Sequence, residues 1–340
     1  MREQCISQLK VNLDSKQAII INRKESIQYY FNVSIPDGMV IISKDKVYLV
    51  SKYRSAVQDC EVVCTNNYDN TVAEILGTTG ISKVYLDQHY IQYSLIKKIF
   101  EEGIEIEKYQ DQQLKKTDAD FDCLSINAIL LNNIINRLLP LITAGESIKD
   151  IIRKFKSLAY SFDIQDCFVS IEPVSVSNKS SKKKIDPDMI YLLDCGIKFF
   201  GIYSDYTCTF KIHKYTKIEL DCINSLIDLQ HKISEEIHVG TNTKALFSNI
   251  LKNWNGSNKY TLAEGFGHSV GTEIHEPFSL YSNEDLCFFD DMIFTIEPQI
   301  SFIISNKMHV LRIESTFTLH HGEVKNPFLK IPYINVLEKE

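Results

Sequence analysis

Five residues offer side chains that bind cations, each in or beside an apolar, strand-like run: Asp194, Asp205, His268, Glu297 and Glu314. The stretch YLLDCGIKFFGIYSDYTCTF carries both aspartates, AEGFGHSVGTEIHEP carries His268, TIEPQ carries Glu297 and VLRIEST carries Glu314. A carboxylate inside a fold must be paired, hydrogen-bonded or on a metal. Taken singly, each has a plain reading: turn aspartates, or a glutamate paired with Arg312. Taken together, two aspartates and two glutamates in one domain repel one another strongly unless cations sit among them. Oxygen ligands with one imidazole suit Mn²⁺, Co²⁺, Zn²⁺ or Fe²⁺. Four carboxylates suffice to bridge and flank two ions at the roughly 3.5–4 Å separation of dinuclear hydrolases.

The elements around them are legible from pattern. Tyr191–Phe210 predicts a buried strand ending at Asp194, a tight turn at Cys195-Gly196 and a second strand over Ile197–Tyr203, so that Asp194 and Asp205 stand at the ends of neighbouring strands. Upstream, short apolar strands alternate with helical segments, including a hairpin of Gly38–Ser43 with Lys46–Ser51, which argues for an α/β layer. A second part begins near Asp118, with long helices over Phe121–Leu139 and Thr216–His238; Thr216 and Glu219 have capping-box spacing. Placing Gly145 on Gly240 aligns ITAGESIKDII with IHVGTNTKALF and Lys149 with Lys244. This predicts an internal duplication, with a site at the junction of the halves.

Composition narrows the class. A net charge of −7 gives no general basic field for nucleic acid. No apolar run approaches the 18 or so residues of a membrane helix, and the N-terminus lacks the apolar core of a secretory signal. The nine cysteines are odd in number, scattered and without a CxxC pair, so reduced thiols in a cytoplasmic compartment are expected. The lysine-rich Ser177–Lys184 reads as a solvated loop.

The order Asp194, Asp205, His268, Glu297, Glu314 resembles the five-ligand set of the pita-bread metallopeptidases, the methionine aminopeptidase, Xaa-Pro aminopeptidase and prolidase group. DCG…SDYTCTF is similar to that group's D-x-G…S-D-x-T-R-T-F, and GHSVGTEIHEP to its G-H-G-I-G-x-x-x-H-E-P. FTIEP and RIE match the last two ligand segments, and YYFNVSIPDGMVIISKDKVYLVSKYRSAV resembles the creatinase-type N-terminal domain of the Xaa-Pro aminopeptidases and prolidases. The resemblance implies an α/β creatinase-type domain over residues 1–117 and an α+β pita-bread domain with internal duplication over residues 118–340. It implies two divalent ions, manganese first, with Asp205 and Glu314 bridging them, Asp194 on one, and His268 with Glu297 on the other. His275 would contact the substrate and the tetrahedral intermediate, Glu297 would also act as general base, and Arg312 would orient a ligand carboxylate. The implied activity is removal of the N-terminal residue from short peptides, Xaa-Pro above all, by an aminopeptidase or dipeptidase that forms a homodimer. The competing expectation is an inactive pita-bread protein that serves as a binding module.

The substrate side departs from the family's pattern. Ser177 stands where a histidine precedes the first ligand aspartate, and Glu264 replaces the first histidine of H-G-x-G-H. E-P-G-x-Y is EPQIS here, and T-R-T-F is TCTF. An inward-pointing Glu264 would attract a substrate's amino group.

Overall fold

The computed structural model describes residues 2–11, 13–31, 37–53, 60–86, 91–108, 115–175, 183–254, 260–304 and 306–337. The chain divides into two compact units, Met1–Gln113 and Leu114–Glu340. Sequence placed the division at 117/118; Lys116, buried against Glu276, already lies inside the second unit.

The first unit is a sheet with helices. Its helices are α1 (Arg2–Val11), α2 (Lys24–Phe31), α3 (Tyr68–Thr78) and α4 (Tyr93–Glu101). Its strands are β1 (Gln17–Ile21), β2 (Gly38–Ser43), β3 (Val47–Ser51), β4 (Glu61–Cys64), β5 (Lys83–Leu86) and β6 (Glu105–Lys108), in the order β4-β3-β2-β1-β5-β6. The run Ala18–Ile21 is apolar at every position because β1 is buried on both faces. Ala18 and Ile20 pack with Val72 and Leu76 of α3 and Leu95 and Ile99 of α4, while Ile19 and Ile21 pack with Leu9 of α1 and Ile27 of α2.

The second unit holds the five candidate ligands. Its helices are α5 (Asp118–Leu138), α6 (Ile148–Tyr160), α7 (Lys217–Glu236) and α8 (Thr243–Asn253). A first sheet holds β7 (Asp166–Pro173), β8 (Tyr191–Phe199), β9 (Ile202–Tyr203) and β10 (Tyr206–Lys211). Smaller sheets use β11 (Thr261–Leu262), β12 (Gly265–His268), β13 (Ser279–Tyr281), β14 (Met292–Ile296), β15 (Gln299–Ile304), β16 (Lys307–Arg312), β17 (Ser315–His320) and β18 (Glu323–Lys325); β19 (Ile334–Val336) runs parallel to β10. By length and composition α5 could cross a membrane, an exception to the reading of apolar runs above. Here its apolar stripe, Leu124, Leu131, Ile134, Ile135 and Leu138, is buried in the core.

The duplication is written into the backbone. Gly145 and Gly240 both have positive φ, 76° and 89°. Gly145 N donates to Ile185 O and Gly240 N to Phe288 O, at 2.8 and 2.7 Å. Ile185 N returns to Glu146 O at 2.8 Å and Phe288 N to Thr241 O at 2.9 Å. Even the side-chain caps correspond, Thr143 N to Glu146 Oε2 and His238 N to Thr241 Oγ1. Each knot then enters a short helix, α6 or α8, with Lys149 and Lys244 in its second position. The Thr216–Glu219 capping box forms at the start of α7.

One local expectation fails. Cys195-Gly196 is not a turn: β8 runs unbroken from Tyr191 to Phe199, and the chain reverses at Phe200-Gly201, with φ of 47° and 86°. Asp194 therefore lies mid-strand, opposite Thr207 of β10 and Ser170 of β7, and not at a strand end. Gly196 is glycine for another reason. A Cβ there would run into the Ser204 carbonyl oxygen and the Phe168 ring. The residue serves a close approach of chains and not a positive φ, which sequence does not separate.

The two glycines should respond differently to alanine. Gly196→Ala must move backbone and should cost about 3 kcal/mol or more. Gly201→Ala meets open space and pays only for its left-handed conformation, roughly 1–2 kcal/mol. Urea midpoints of the two variants check this ordering; equal losses would contradict it.

Candidate metal centre

The strands bring all five predicted ligands together. Asp194 comes from mid-β8, Asp205 from the residue before β10 and His268 from the end of β12; Glu297 follows β14, and Glu314 lies between β16 and β17. The two halves are joined backbone to backbone here: Thr207 N donates to Glu314 O at 3.2 Å and Glu314 N to Thr207 O at 3.1 Å. His268 Nε2 lies 3.7 Å from Asp205 Oδ2 and 3.6 Å from Glu297 Oε1. Ligand atoms of Asp205, His268 and Glu314 all lie within 4.8 Å of one another.

Burial grades the site from floor to mouth. Glu314 and Asp205 side chains are 2% and 6% exposed, Asp194 25%. His275 is exposed, its ring tilted over His268 with centroids 4.2 Å apart. Arg312, at the end of β16, donates to Asp194 Oδ2 and lies 3.5 Å from Glu297 Oε2 and 3.8 Å from Glu314 Oε2. Arg312 thus touches three of the four carboxylates.

Electrostatics follow from burial. Loss of hydration, with Glu314, Asp194 and Glu297 nearby, pushes Asp205 well above the carboxylate range; burial and Glu297 do the same to Glu314. Burial also raises Asp194 and Glu297, against the opposing pull of Arg312. Burial, with His275 beside it, lowers His268 to about 4, so its ring is neutral at neutral pH. Its Nδ1 lies 3.1 Å from Ser269 O, which takes that N–H and leaves the Nε2 lone pair facing the carboxylates.

These residues fit a divalent centre. Four carboxylates face one guanidinium and a neutral imidazole, and Asp205 Oδ1 is buried with no hydrogen-bond partner. Two donors each about 2.0–2.2 Å from a shared cation stand roughly 3–4 Å apart, and the separations from His268 Nε2 fall in that range. Arg312 is the cation that opposes the raised carboxyl groups of Asp205 and Glu314, and it leaves both well above the usual range.

Sequence reading missed the groups that hold the ligands. Thr207 Oγ1 donates to Glu314 Oε2 at 2.6 Å, Thr316 Oγ1 accepts from Asp205 N at 2.8 Å, and Thr295 Oγ1 accepts from His268 N at 3.1 Å. All three threonines are fully buried. The signal was present: Thr207, Thr295 and Thr316 each stand two residues from a ligand, hence on the same strand face. Also missed was Glu276, buried with Lys116 Nζ 2.6 Å from Oε2 and Thr272 N donating to Oε1 at 3.0 Å. That pair fixes the residue next to His275, and a Cβ on Gly271 would collide with it. Glu172, on β7, adds to the negative field on Asp194.

Of the two proposed substrate residues, the one described is not gathered in. Glu264 is exposed, contrary to an inward-pointing carboxylate, and only its carbonyl is engaged, by Ser282 N. Ser177 lies outside the described residues.

Residues 126–321 match the profile of metallopeptidase family M24. The chain is 26% identical over 335 residues to an uncharacterized peptidase of Methanocaldococcus jannaschii, covering 95% of this chain and 92% of that one. It is 23% identical over 323 residues to a Xaa-Pro dipeptidase of Pyrococcus furiosus, covering 87% and 89%. Among solved structures, a Xaa-Pro dipeptidase from Bacillus anthracis superposes with a TM-score of 0.84 at 20% identity over 99% of this chain and 100% of that one. An X-Pro aminopeptidase from Thermotoga maritima does so with a TM-score of 0.79 at 16% identity over 96% and 99%. These likenesses carry the two-domain pita-bread fold.

Stripped of metal, Asp205→Asn should be more stable than the unsubstituted chain by about 1 kcal/mol or more, because one member of a mutually repelling buried carboxyl cluster is replaced by a neutral amide. With Mn²⁺ at about 100 times its Kd the unsubstituted chain should gain about 2.7 kcal/mol, and Asp205→Asn should lose most of that gain. Thermal unfolding with chelator and with Mn²⁺ reads both signs. An unchanged metal-dependent rise in the variant would remove Asp205 from the centre.

Proposed function

The chain belongs to metallopeptidase family M24, and from that premise we propose that it is a dinuclear exopeptidase that removes the N-terminal residue from short peptides, preferring Xaa-Pro bonds. The observation that carries this reading is the convergence of Asp205, His268 and Glu314 around an orphaned carboxylate oxygen. Support for the proline preference comes from relatives named Xaa-Pro dipeptidase. Asp194, Asp205, His268, Glu297 and Glu314 would hold two divalent ions, manganese in our reading, with cobalt, zinc or iron as alternatives.

When bound, such ions polarise a scissile carbonyl and make water a nucleophile at neutral pH. The chain's own groups then have defined tasks. Glu297, at the accessible side of the cluster, accepts the proton of the attacking water. His275, exposed beside His268, donates to the carbonyl oxygen as charge develops there. Arg312 holds Asp194 by its hydrogen bond and so fixes that carboxylate. Glu264, if used, meets the substrate's ammonium group from the solvent side.

We also infer a reducing, cytoplasm-like compartment, supported by the free thiols of Cys60, Cys64, Cys123, Cys167, Cys195, Cys208, Cys222 and Cys287. Assembly as a homodimer rests on the resemblance alone.

Hydrolysis of Xaa-Pro and Xaa-Ala peptides with added Mn²⁺, Co²⁺ or Zn²⁺ tests the reading. Cleavage should require metal, favour Xaa-Pro and vanish in Asp205→Asn. His275→Ala should lower kcat about 10²–10³-fold with the metal content kept. Stoichiometric metal with no cleavage above the Asp205→Asn control would favour the binding-module reading. For Glu264→Ala, unchanged KM and peptide selectivity would remove that residue from the substrate site.

A further inference from the structure

A second group of ligating side chains lies outside the carboxylate cluster, where the start of α5, the turn at Asp290-Asp291 and the β17–β18 hairpin meet. It consists of Asp118, His320 and His321, with one ligand atom from each within 4.8 Å of the other two. His320 is arranged as a metal-binding histidine is. Its Nδ1 lies 2.8 Å from Asp291 Oδ1, so that carboxylate takes the ring N–H and the Nε2 lone pair is left free. Phe121 stacks on the ring at 4.0 Å and fixes its plane. Nε2 then faces Asp118 Oδ1 at 3.5 Å. Two acceptors so placed gain nothing from each other, while a cation between them satisfies both. Donors about 2.0–2.1 Å from one tetrahedral ion stand roughly 3.3 Å apart, close to that separation.

Local structure does not account for these side chains. The N-terminus of α5 is closed by Asp120, whose Oδ2 accepts from Thr117 N at 2.8 Å and Thr117 Oγ1 at 2.9 Å, so Asp118 is not needed as a cap. His321 and Gly322 form the two-residue loop of the hairpin, with φ of 53° and 75°. Asn-Gly or Asp-Gly meets that demand best, so the turn itself does not call for an imidazole. The His321 ring is nonetheless held against His320, centroids 3.8 Å apart. The surroundings are acidic: Asp290 accepts from Gly322 N at 3.0 Å, and the cation facing Asp291 is Lys115, 3.9 Å from Oδ2.

The geometry points to a mononuclear site for a divalent transition ion, zinc first, bound by Asp118, His320 and His321. Asp291 orients His320, and a fourth position is open to water. Two imidazoles with one carboxylate are a zinc donor set, and the site is separate from the five residues of the peptidase centre. Its bound ion ties the first turn of α5 to a hairpin near the other end of the second unit, so its effect is on stability.

Chelator-stripped protein is titrated with Zn²⁺ by calorimetry, bound zinc is counted after desalting, and Tm is followed in parallel. The informative variant is His321→Asn, because asparagine suits the hairpin and leaves the peptidase centre intact. The unsubstituted chain should bind one zinc equivalent more than His321→Asn and show a larger zinc-dependent rise in Tm. Asp291→Asn should keep that equivalent with its Kd raised about 10–100-fold. A protonated His320 merely ion-paired to Asp118 and Asp291 gives the opposite result: equal zinc equivalents and equal thermal shifts in His321→Asn and the unsubstituted chain, which overturns the proposal.

Discussion

Asp205 and Glu314 lie near each other between strands, nearly out of contact with water. A carboxylate there loses most of its hydration, and a second carboxylate nearby adds repulsion to that loss. The chain supplies only part of the compensation. Thr207 donates one short hydrogen bond to Glu314, and Arg312 reaches Asp194, Glu297 and Glu314 from the mouth. Asp205 Oδ1 receives nothing. Without an added cation the arrangement relaxes by taking up protons, as the raised carboxyl groups express. A fold that keeps such a cluster carries a standing electrostatic cost, which divalent ions remove.

Holding these groups in place needs rigid backbone, and the duplicated architecture provides it. Each half contributes a glycine knot, a short helix and strands, and the two knots match hydrogen bond for hydrogen bond. The first half brings Asp194 and Asp205, the second His268, Glu297 and Glu314. The reciprocal Thr207–Glu314 backbone pair stitches the halves at the cluster itself. Threonines each two residues from one ligand then fix a different ligand from across the chain: Thr316 holds Asp205, Thr207 holds Glu314 and Thr295 holds His268. The site sits at the junction because only there do both halves present inward-facing positions to a common space.

What sequence could deliver follows from the range of the interactions involved. The β2–β3 hairpin, the capping box of α7 and the matched glycines are local, so pattern and spacing expressed them. The five ligands were legible because their types make little sense unless they meet. The turn at Cys195-Gly196 was misplaced because glycine has two uses. The constraint on Gly196 comes from Ser204 and Phe168, partners that only the folded chain brings near. Lys116–Glu276 stayed hidden for the same reason, since its members lie far apart in sequence and only the fold pairs them. Ordinary threonines two residues from a ligand carried a signal that period-2 reasoning could have used.

The division between a buried floor and an accessible side bears on where this chain departs from the family's motif. A change at Glu314 or Asp205 alters buried hydrogen bonds, those of Thr207 to Glu314 and of Asp205 N to Thr316. A change at position 264 does not, because the Glu264 side chain is exposed and only its carbonyl is tied into the β12–β13 hairpin. His275 is likewise exposed, yet it is anchored through the adjacent Glu276 and its buried lysine. The physics therefore permits the outer groups to vary while the floor and the support of His275 stay as they are. The family pattern set out above has histidine where this chain has Glu264, and that glutamate is exposed while the five candidate ligands are gathered together.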